Sequence, residues 1–481
     1  MLNDFYKFAE WFFVFYFIGL NCSYLFLSVI AMFNVSRYMK EKTLIDIPGV
    51  GNDILPPVSL IVPAYEEESS IIQSVKALMQ LEYPDFEVIV VNDGSSDGTL
   101  HELINGCALK VFPEAYRKRI QTKPIRNIYK SRVYNQLRVI DKDNGGKSDA
   151  INAAVNISRY PLVCVVDADS ILQRDSLRRI VQPFVFDSRT VASGGTIRIV
   201  NGCEHRDGYI TKARAPDKFL PLVQVVEYLR AFLFGRLGWS PMNALLIISG
   251  AFGAFHKETV ISVGGYRNDT IGEDMELIVR MHRILRKQKK DYRITFVPDP
   301  VCWTKVPEKL SILAHQRIRW QRGLCESLFL NFSLCFNPRA GAVGMLAFPF
   351  MLIFEWAGPV IELVGVVAIT IGFMFGYIDA VVFSLLLGVS IIFGLLLSLT
   401  ALLLEEISFH MYQQPKELFK LFIVAILENL GYRQLNTLFR LVGFYGWLMG
   451  TKRRWVRIDS NNKIMPASNE TNRAAIRSQS K

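Results

Sequence analysis

A stretch without one charged side chain, Trp11 to Phe33, restricts this chain more than any other part of its 481 residues. It exceeds the roughly 20 apolar residues that a helix needs to cross a bilayer. In hydrocarbon, a single segment satisfies its backbone only as a helix. The run is too long for the core of a signal peptide, and no A-x-A-like cleavage site preceded by a basic region accompanies it. A retained anchor is therefore expected over residues 1–45. Little positive charge precedes the run beyond Lys7, whereas Arg37, Lys40 and Lys42 follow it. The positive-inside rule puts the next part of the chain in the cytoplasm.

Pro56 to Gly323 has the composition of a soluble domain, and most of Ala340 to Gly450 is again apolar enough to span. The organisation expected is an anchor (1–45), a cytoplasmic domain (56–335), a membrane region (340–450) and a basic, disordered tail (451–481). Ala380 to Leu404 reads as one clear span. Ala342 to Tyr377 reads as one kinked span or two pieces broken at Gly358-Pro359. Leu418 to Gly450 carries Glu428, Arg433 and Arg440, which implies two half-segments around Gly431 with one side on protein or water. Keeping Lys452-Arg453-Arg454 cytoplasmic needs an even number of crossings after the domain: four, for five in all, or two.

The net charge of +11 does not point to nucleic acid. Its basic residues lie in the cytoplasmic domain and beside membrane segments, where anionic lipid and phosphate-bearing substrates account for them. The interleaved aromatic and basic pattern of a nucleic-acid module is absent. The seven cysteines lack a C-x-x-C spacing, which argues against structural zinc or a disulfide framework and fits a reducing compartment.

Within the soluble domain, Leu162 to Ser170 reads as a buried strand that stops at two carboxylates, Asp167 and Asp169. In an open α/β sheet, ligands bind beyond the carboxyl ends of the strands. Two hard oxygen ligands there suit a divalent ion that itself carries phosphates; alone, the pair also fits an Asx turn. Val58 to Val62 is a second such strand, ending in Tyr65-Glu66-Glu67, and Ser69 to Leu81 follows with apolar residues at helical spacing. Phe86 to Val91 is a third, ending in Asn92-Asp93-Gly94-Ser95-Ser96-Asp97-Gly98. Strand, helix and strand in this order open a parallel sheet with right-handed crossovers. Cys107 to Gln136 is basic and irregular and receives no assignment. Leu137 to Ile140 is a short strand, and Lys147 opens a helix near the same edge, after Gly145 and Gly146.

Leu220 to Trp239 is apolar but carries Glu227, Arg230 and Arg236. It reads as a helix in the membrane interface, or else as a core helix. Ile247 to Phe255 is strand-like, with Gly250 and Gly253 admitting a ligand against the backbone. Thr270 with Glu273 forms a capping-box signature, which leaves Asp274 in the first helical turn, where a carboxylate stays ionised and able to take a proton. His315 to Gly323 puts Gln316, Arg319 and Trp320 on one helical face. A guanidinium can grip a diphosphate bidentately and an indole can support a sugar ring. A juxtamembrane helix with snorkelling arginines is the plainer account.

VNDGSSDG, DAD, GED and QRIRW, in this order in one domain between membrane anchors, resemble the membrane-integrated family 2 glycosyltransferases, a group that includes cellulose, chitin, hyaluronan and poly-N-acetylglucosamine synthases. The resemblance covers Pro56 to Gly323 and the membrane helices. It implies a GT-A (Rossmann-like) α/β fold and inverting transfer from a UDP-sugar, either UDP-N-acetylglucosamine or UDP-glucose. It further implies that Tyr65, Glu67 and Asp93 hold the uridine and that Lys147 and Asp167 lie at the nucleotide. Asp169 would bind Mg2+ or Mn2+. Asp274 would be the base, Gln316 and Arg319 would close on the diphosphate, and Trp320, Ser249 and Gly250 would meet the acceptor. Lys305 departs from the acidic residue that many relatives carry there, and no appended c-di-GMP-binding domain is visible.

The function expected is a processive β-polysaccharide synthase in the plasma (inner) membrane that passes its product through its own helices, with room for an export partner. The enzyme alternative is a single transfer to a lipid-linked acceptor. A transporter with a nucleotide-sensing domain is disfavoured by the lack of a Walker A loop.

Overall fold

The computed structural model describes residues 2–45, 55–206, 208–451, 457–458 and 464–465. The expected disordered tail and most of the Ile47 to Pro57 linker lie outside the described residues.

A ten-stranded sheet organises the domain. Its strands are β1 (Val58–Ala64), β2 (Phe86–Asp93), β3 (Leu109–Val111), β4 (Ile125–Ser131), β5 (Leu137–Lys142), β6 (Leu162–Val166), β7 (Ile171–Leu172) and β8 (Thr190–Ile199). After a small hairpin of β9 (Glu204–Arg206) and β10 (Tyr209–Lys212), β11 (Phe252–His256) and β12 (Arg293–Thr304) complete it. The spatial order is β3-β4-β5-β2-β1-β6-β11-β8-β12-β7. β5, β2, β1 and β6 are mutually parallel and fully or almost fully buried, which is why they read as near-continuous apolar runs. β11 then pairs antiparallel with both β6 and β8, so the sheet is mixed rather than purely parallel.

The chain leaves β1 toward β2 on one side and reaches β6 on the other, a topological switch point of the kind where ligands bind. Registers Ala64↔Asn92 and Asp93↔Lys142 end β1, β2 and β5 close to one level. Their acidic turns are stitched together. Glu66 N–H donates to Ser95 Oγ at 2.9 Å, Glu67 N–H to Thr99 Oγ1 at 2.8 Å and Gly98 N–H to Glu68 Oε2 at 3.0 Å.

Several expected elements move. The helix read over Ser69 to Leu81 is shorter, Ile71–Leu78. The strand read over Ile247 to Phe255 begins only at Phe252, because residues 245–249 run irregularly toward the site. The unassigned Cys107 to Gln136 contains β3 and β4, an antiparallel edge whose polar residues are largely solvated.

The segment Leu220 to Trp239, read as a helix in the membrane interface or else as a core helix, is packed against protein along much of its length. It runs as an α-helix over Phe219–Leu229, a π-helix over Arg230–Arg236 and a last turn at Leu237–Trp239. Two of its charges are paired within the protein: Glu227 with Arg317 at 2.7 Å, and Arg230 with Glu428. One apolar core runs from the sheet through this segment to Ala31 and Val35 of the first helix and to Leu404, Leu421 and Ala425 near the carboxyl end.

Among the described residues, two helices are long and apolar enough to cross a membrane, Trp11–Lys40 and Ile391–Phe409; a pair bent by 46°, Val343–Trp356 with Gly358–Met374, makes up to three. The last two helices, Pro415–Leu427 and Arg433–Leu448, are short half-segments. They meet at Gly431, whose φ of 104° admits the break, as the charges in Leu418 to Gly450 implied.

Candidate active site

The site grows from what β5 and β6 deliver at the switch point. Lys142, the last residue of β5, is fully buried and its Nζ lies 2.6 Å from Asp93 Oδ1 and 2.7 Å from Asp149 Oδ1. Asp93 also accepts from the Gly146 N–H at 2.7 Å and the Gly145 N–H at 3.0 Å. Burial pushes the Asp93 carboxyl up, opposed by Lys142 and the two amides. Both of its oxygens accept from protein donors, so Asp93 anchors the loop 143–147. Gly146 caps the helix Lys147–Ile157 at φ 87°, a conformation that favours glycine. That turn fixes where Lys147 starts.

Lys147 Nζ stands 2.5 Å from Asp167 Oδ1 and 3.7 Å from Glu273 Oε1, and donates to the Gly250 carbonyl at 3.4 Å. Burial alone would lower the ammonium, but Asp167 and Glu273 more than offset it and the net shift is upward. Lys147 is therefore a fixed cation at this edge. The Gly250 N–H in turn donates to Asp274 Oδ2 at 3.0 Å. A Cβ on Gly250 would sit 3.2 Å from Lys147 Nζ and 3.5 Å from Asp274 Oδ2, so residue 250 is small where the two groups converge. Ser249 is half-buried beside it, its hydroxyl accepting from the Ala251 N–H at 3.4 Å.

Asp169 lies at the exposed tip of the same turn, whose Ala168 carbonyl is held by Ser74 Oγ at 2.6 Å. Desolvation in the cleft, followed by the negative charges of Asp167 and Glu67, pushes its carboxyl up to about 6. That crowding of like charge is what a bound cation relieves. Among the described residues no three acidic, histidine or cysteine side chains could hold an ion by themselves. The donor set thus fits an ion that brings further oxygen ligands with it, such as a diphosphate. Glu67 accepts from Ser70 Oγ at 2.5 Å, and Tyr65 is partly exposed at the end of β1.

The helix Glu273–Lys287 does not begin with the expected capping box. Its N-cap is Gly272, without a side-chain cap; Thr270 Oγ1 instead donates to Glu326 Oε2 at 3.0 Å. Glu273 is thereby left facing Lys147, a site residue that the capping signature concealed. Glu326 also accepts from the Ile271 N–H at 2.8 Å, and Ser327 Oγ donates to the Gly272 carbonyl at 3.3 Å.

These bonds dock the GED turn on the helix Leu310–Leu330, and a Cβ on Gly323 would come within 2.9 Å of the Gly272 Cα. Backbone meets backbone there, and Arg319, one turn earlier, is close enough for its charge to act on Glu273. Gly323→Ala should force the two elements apart by a few tenths of an ångström and lower kcat about tenfold or more, since small misplacements at reacting groups carry large costs. The control Gly388→Ala, where a Cβ meets nothing within 4 Å, should match wild type. Equal kcat in both variants would refute the docking role.

Gln316 and Trp320 lie on the same helix. Trp320 is exposed, with the Arg317 guanidinium 4.3 Å from its ring, and Gln316 Oε1 is buried without a hydrogen-bond partner. The sequence reading thus brings Lys147, Asp167, Asp169, Gly250 and Asp274 to one edge, with Arg319 beside them. It missed Lys142, Asp149, Glu273 and Glu326. A lysine ending a buried strand was the available signal for the first two.

The family model described as "Glycosyltransferase like family 2" matches residues 56–323. The poly-beta-1,6-N-acetyl-D-glucosamine synthase of Staphylococcus aureus is 28% identical over 323 residues, 66% of this chain and 66% of that protein. The synthase of the same name from Staphylococcus epidermidis is 26% identical over 314 residues, 65% of each. The chain thus spans just under two thirds of the length of these relatives. Among solved structures, the mannosyltransferase PcManGT from Pyrobaculum calidifontis, in complex with GDP-Man and Mn2+, aligns with 86% of this chain and 99% of its own at 19% identity and a TM-score of 0.48.

Proposed function

We propose, from the premise that this chain belongs to glycosyltransferase-like family 2 and has the GT-A fold of that family, that it is an inverting membrane enzyme extending a β-linked glycan from a UDP-sugar. The names of its relatives favour UDP-N-acetylglucosamine as donor. The observation that carries the reading is the convergence on Gly250, where Lys147, Asp167 and Asp274 meet at the switch point of the sheet.

In this reading Asp274 accepts the proton of the acceptor hydroxyl. The freed oxygen forms its bond to the anomeric carbon as the bond to the diphosphate breaks, and the electron pair leaves with UDP. One positioned base suffices for a direct displacement, which inverts the anomeric centre. Lys147 and Arg319 stand where negative charge develops on the leaving group. Asp169, with Asp167 beside it, would hold Mg2+ or Mn2+. When bound, that ion neutralises the diphosphate. Trp320 and Ser249 border the acceptor side, and Tyr65 and Glu67 the nucleotide side.

Processive synthesis is favoured over single transfer to a lipid carrier by the polar pairs buried between the carboxyl-terminal helices and the elements packed on them. Tyr432 donates to Glu227 at 2.9 Å, Thr437 to Glu362 at 2.9 Å, and Arg440 Nε to Gln321 Oε1 at 2.8 Å. Charged and polar groups inside such a bundle mark a path for a polar substrate. The apolar helices would place the enzyme in the plasma membrane with its domain cytoplasmic.

The test is UDP release by the purified protein in nanodiscs against a panel of UDP-sugars, with Mn2+ or with EDTA, sizing each product. A long polymer from one donor, lost in EDTA, is the expected result. A product one sugar longer than an added lipid acceptor would move the assignment to the lipid-linked transferase.

A further inference from the structure

The segment that brings Gly250 to the site arrives without a strand to hold it: residues 244–249 belong to neither helix nor strand. Its side chains alternate all the same. Ala244 and Leu246 pack in one apolar cluster with Met275 and Val279 of the helix Glu273–Lys287, whereas Leu245 and Ile248 pack in the main core with Leu277, Ile278 and Met281 of that helix. A slip of one residue would turn each of these side chains to the wrong face. With no ladder of strand hydrogen bonds, the register has to be fixed by another contact.

His282 makes that contact. It lies on the same helix about two turns beyond Asp274 and is fully buried. Its Nε2 stands 2.8 Å from the Leu245 carbonyl oxygen and its Nδ1 2.6 Å from the Tyr292 hydroxyl. A carbonyl oxygen only accepts, so Nε2 carries the proton and Nδ1 accepts from Tyr292. The Tyr292 hydroxyl in turn accepts from Arg286 Nε at 3.2 Å, and the Tyr292 carbonyl from Asn243 Nδ2 at 2.8 Å. Burial pushes the imidazole down to about 4, which keeps it neutral.

Segment and helix are therefore joined at two points, at Leu245 through His282 and at Gly250, whose N–H donates to Asp274 Oδ2 at 3.0 Å. From Asp274 to His282 the helix advances about 12 Å. The chain from Gly250 back to Leu245 spans at most about 17 Å when extended. The stretch between the two bonds has little slack, so a shift at Leu245 reaches Gly250, whose carbonyl also accepts from Lys147 Nζ at 3.4 Å.

We propose that His282 is a positioning residue for the transfer: its bond to the Leu245 carbonyl fixes the register of residues 244–250 against the helix of Asp274, so that the Gly250 backbone meets Asp274 and Lys147 together. His282 acts through Gly250 and not on the sugar. The inference rests on the reading of Asp274 as the base.

The experiment compares two amides at position 282 with wild type, in nanodiscs with Mn2+, measuring kcat and KM for the active UDP-sugar. In His282→Gln the amide nitrogen reaches the place of Nε2 and keeps the Leu245 bond. In His282→Asn the shorter side chain reaches only the place of Nδ1 and keeps the Tyr292 bond. Each variant loses one buried hydrogen bond, so a purely structural role predicts the same kcat per folded molecule in both. The proposal predicts a kcat about tenfold lower in His282→Asn than in His282→Gln, with the donor KM of both within about threefold of wild type. A difference in kcat smaller than about fivefold, or a donor KM that rises in step with the loss, would overturn it. Should His282→Asn not fold, His282→Phe, which fills the same space and makes neither bond, takes its place under the same limits; should His282→Gln not fold, wild type is the reference. Wild type that transfers sugar while the two amides match each other defeats this inference alone. Wild type inactive with every UDP-sugar defeats the reading beneath it.

Discussion

Asp274→Asn should abolish transfer, lowering kcat by about 10^3-fold, within the 10^2–10^4-fold that a positioned general base contributes, while UDP still binds. The amide keeps the shape of the carboxylate and can still accept the Gly250 N–H, which lies 3.0 Å from Oδ2 in the native protein. What it cannot do is take a proton. Glu273 is no substitute, because it faces Lys147 with its Oε1 3.7 Å from Nζ and neutralises part of that cation. Labelled sugar incorporated at saturating donor, together with UDP affinity by calorimetry, separates the two effects. A variant that keeps more than a tenth of wild-type incorporation would remove Asp274 from the chemistry.

Lys142→Met should be the most damaging single change to stability. The native ammonium is fully buried between Asp93 and Asp149 and also donates to the Asp143 carbonyl at 2.6 Å. Its removal leaves two carboxylates without their shared cation, and breaking a buried pair from one side typically costs about 3–5 kcal/mol. The apparent melting temperature should fall on the order of 10 °C. Loop 143–147 would lose its anchor at the same time, so Lys147 would be displaced and UDP affinity would drop. Adding Asp149→Asn to Lys142→Met should recover part of the melting temperature by removing one orphaned charge. A single variant that melts with wild type would show that the lysine is dispensable to the loop.

Legibility of this fold tracked burial on both faces. β1, β2 and β6 are enclosed by protein, so their apolar runs and the acidic turns that end them stood out in the sequence. β4 failed to stand out because it lies near the sheet edge, where Arg126 and Asn127 are solvated and alternation breaks down. Lys142 fell outside the short strand read over Leu137 to Ile140 for the opposite reason. A charged residue inside a buried strand makes sense only once its two carboxylate partners, distant in sequence, are in place.

The candidate site was legible where one motif supplies one group, as with Asp167, Asp169, Lys147 and Asp274. It was obscured where two segments share a job. The Thr270 signature pointed to a local cap, whereas Glu326, from a helix more than fifty residues later in the chain, took the Thr270 hydroxyl and left Glu273 for the site. The partners of Glu227 and Arg230, namely Arg317, Tyr432 and Glu428, likewise come from later helices. Side chains that are paired only through tertiary structure look like surface charges in a linear reading.

The most direct measurement is a paired one on the wild-type protein with UDP-N-acetylglucosamine and Mn2+: UDP released against sugar incorporated, with the anomeric configuration of the new linkage read by NMR. One UDP for each sugar added and a β-linkage throughout are the expected result. UDP released without incorporation, or an α-linked product, would contradict a single-base inverting transfer at Asp274.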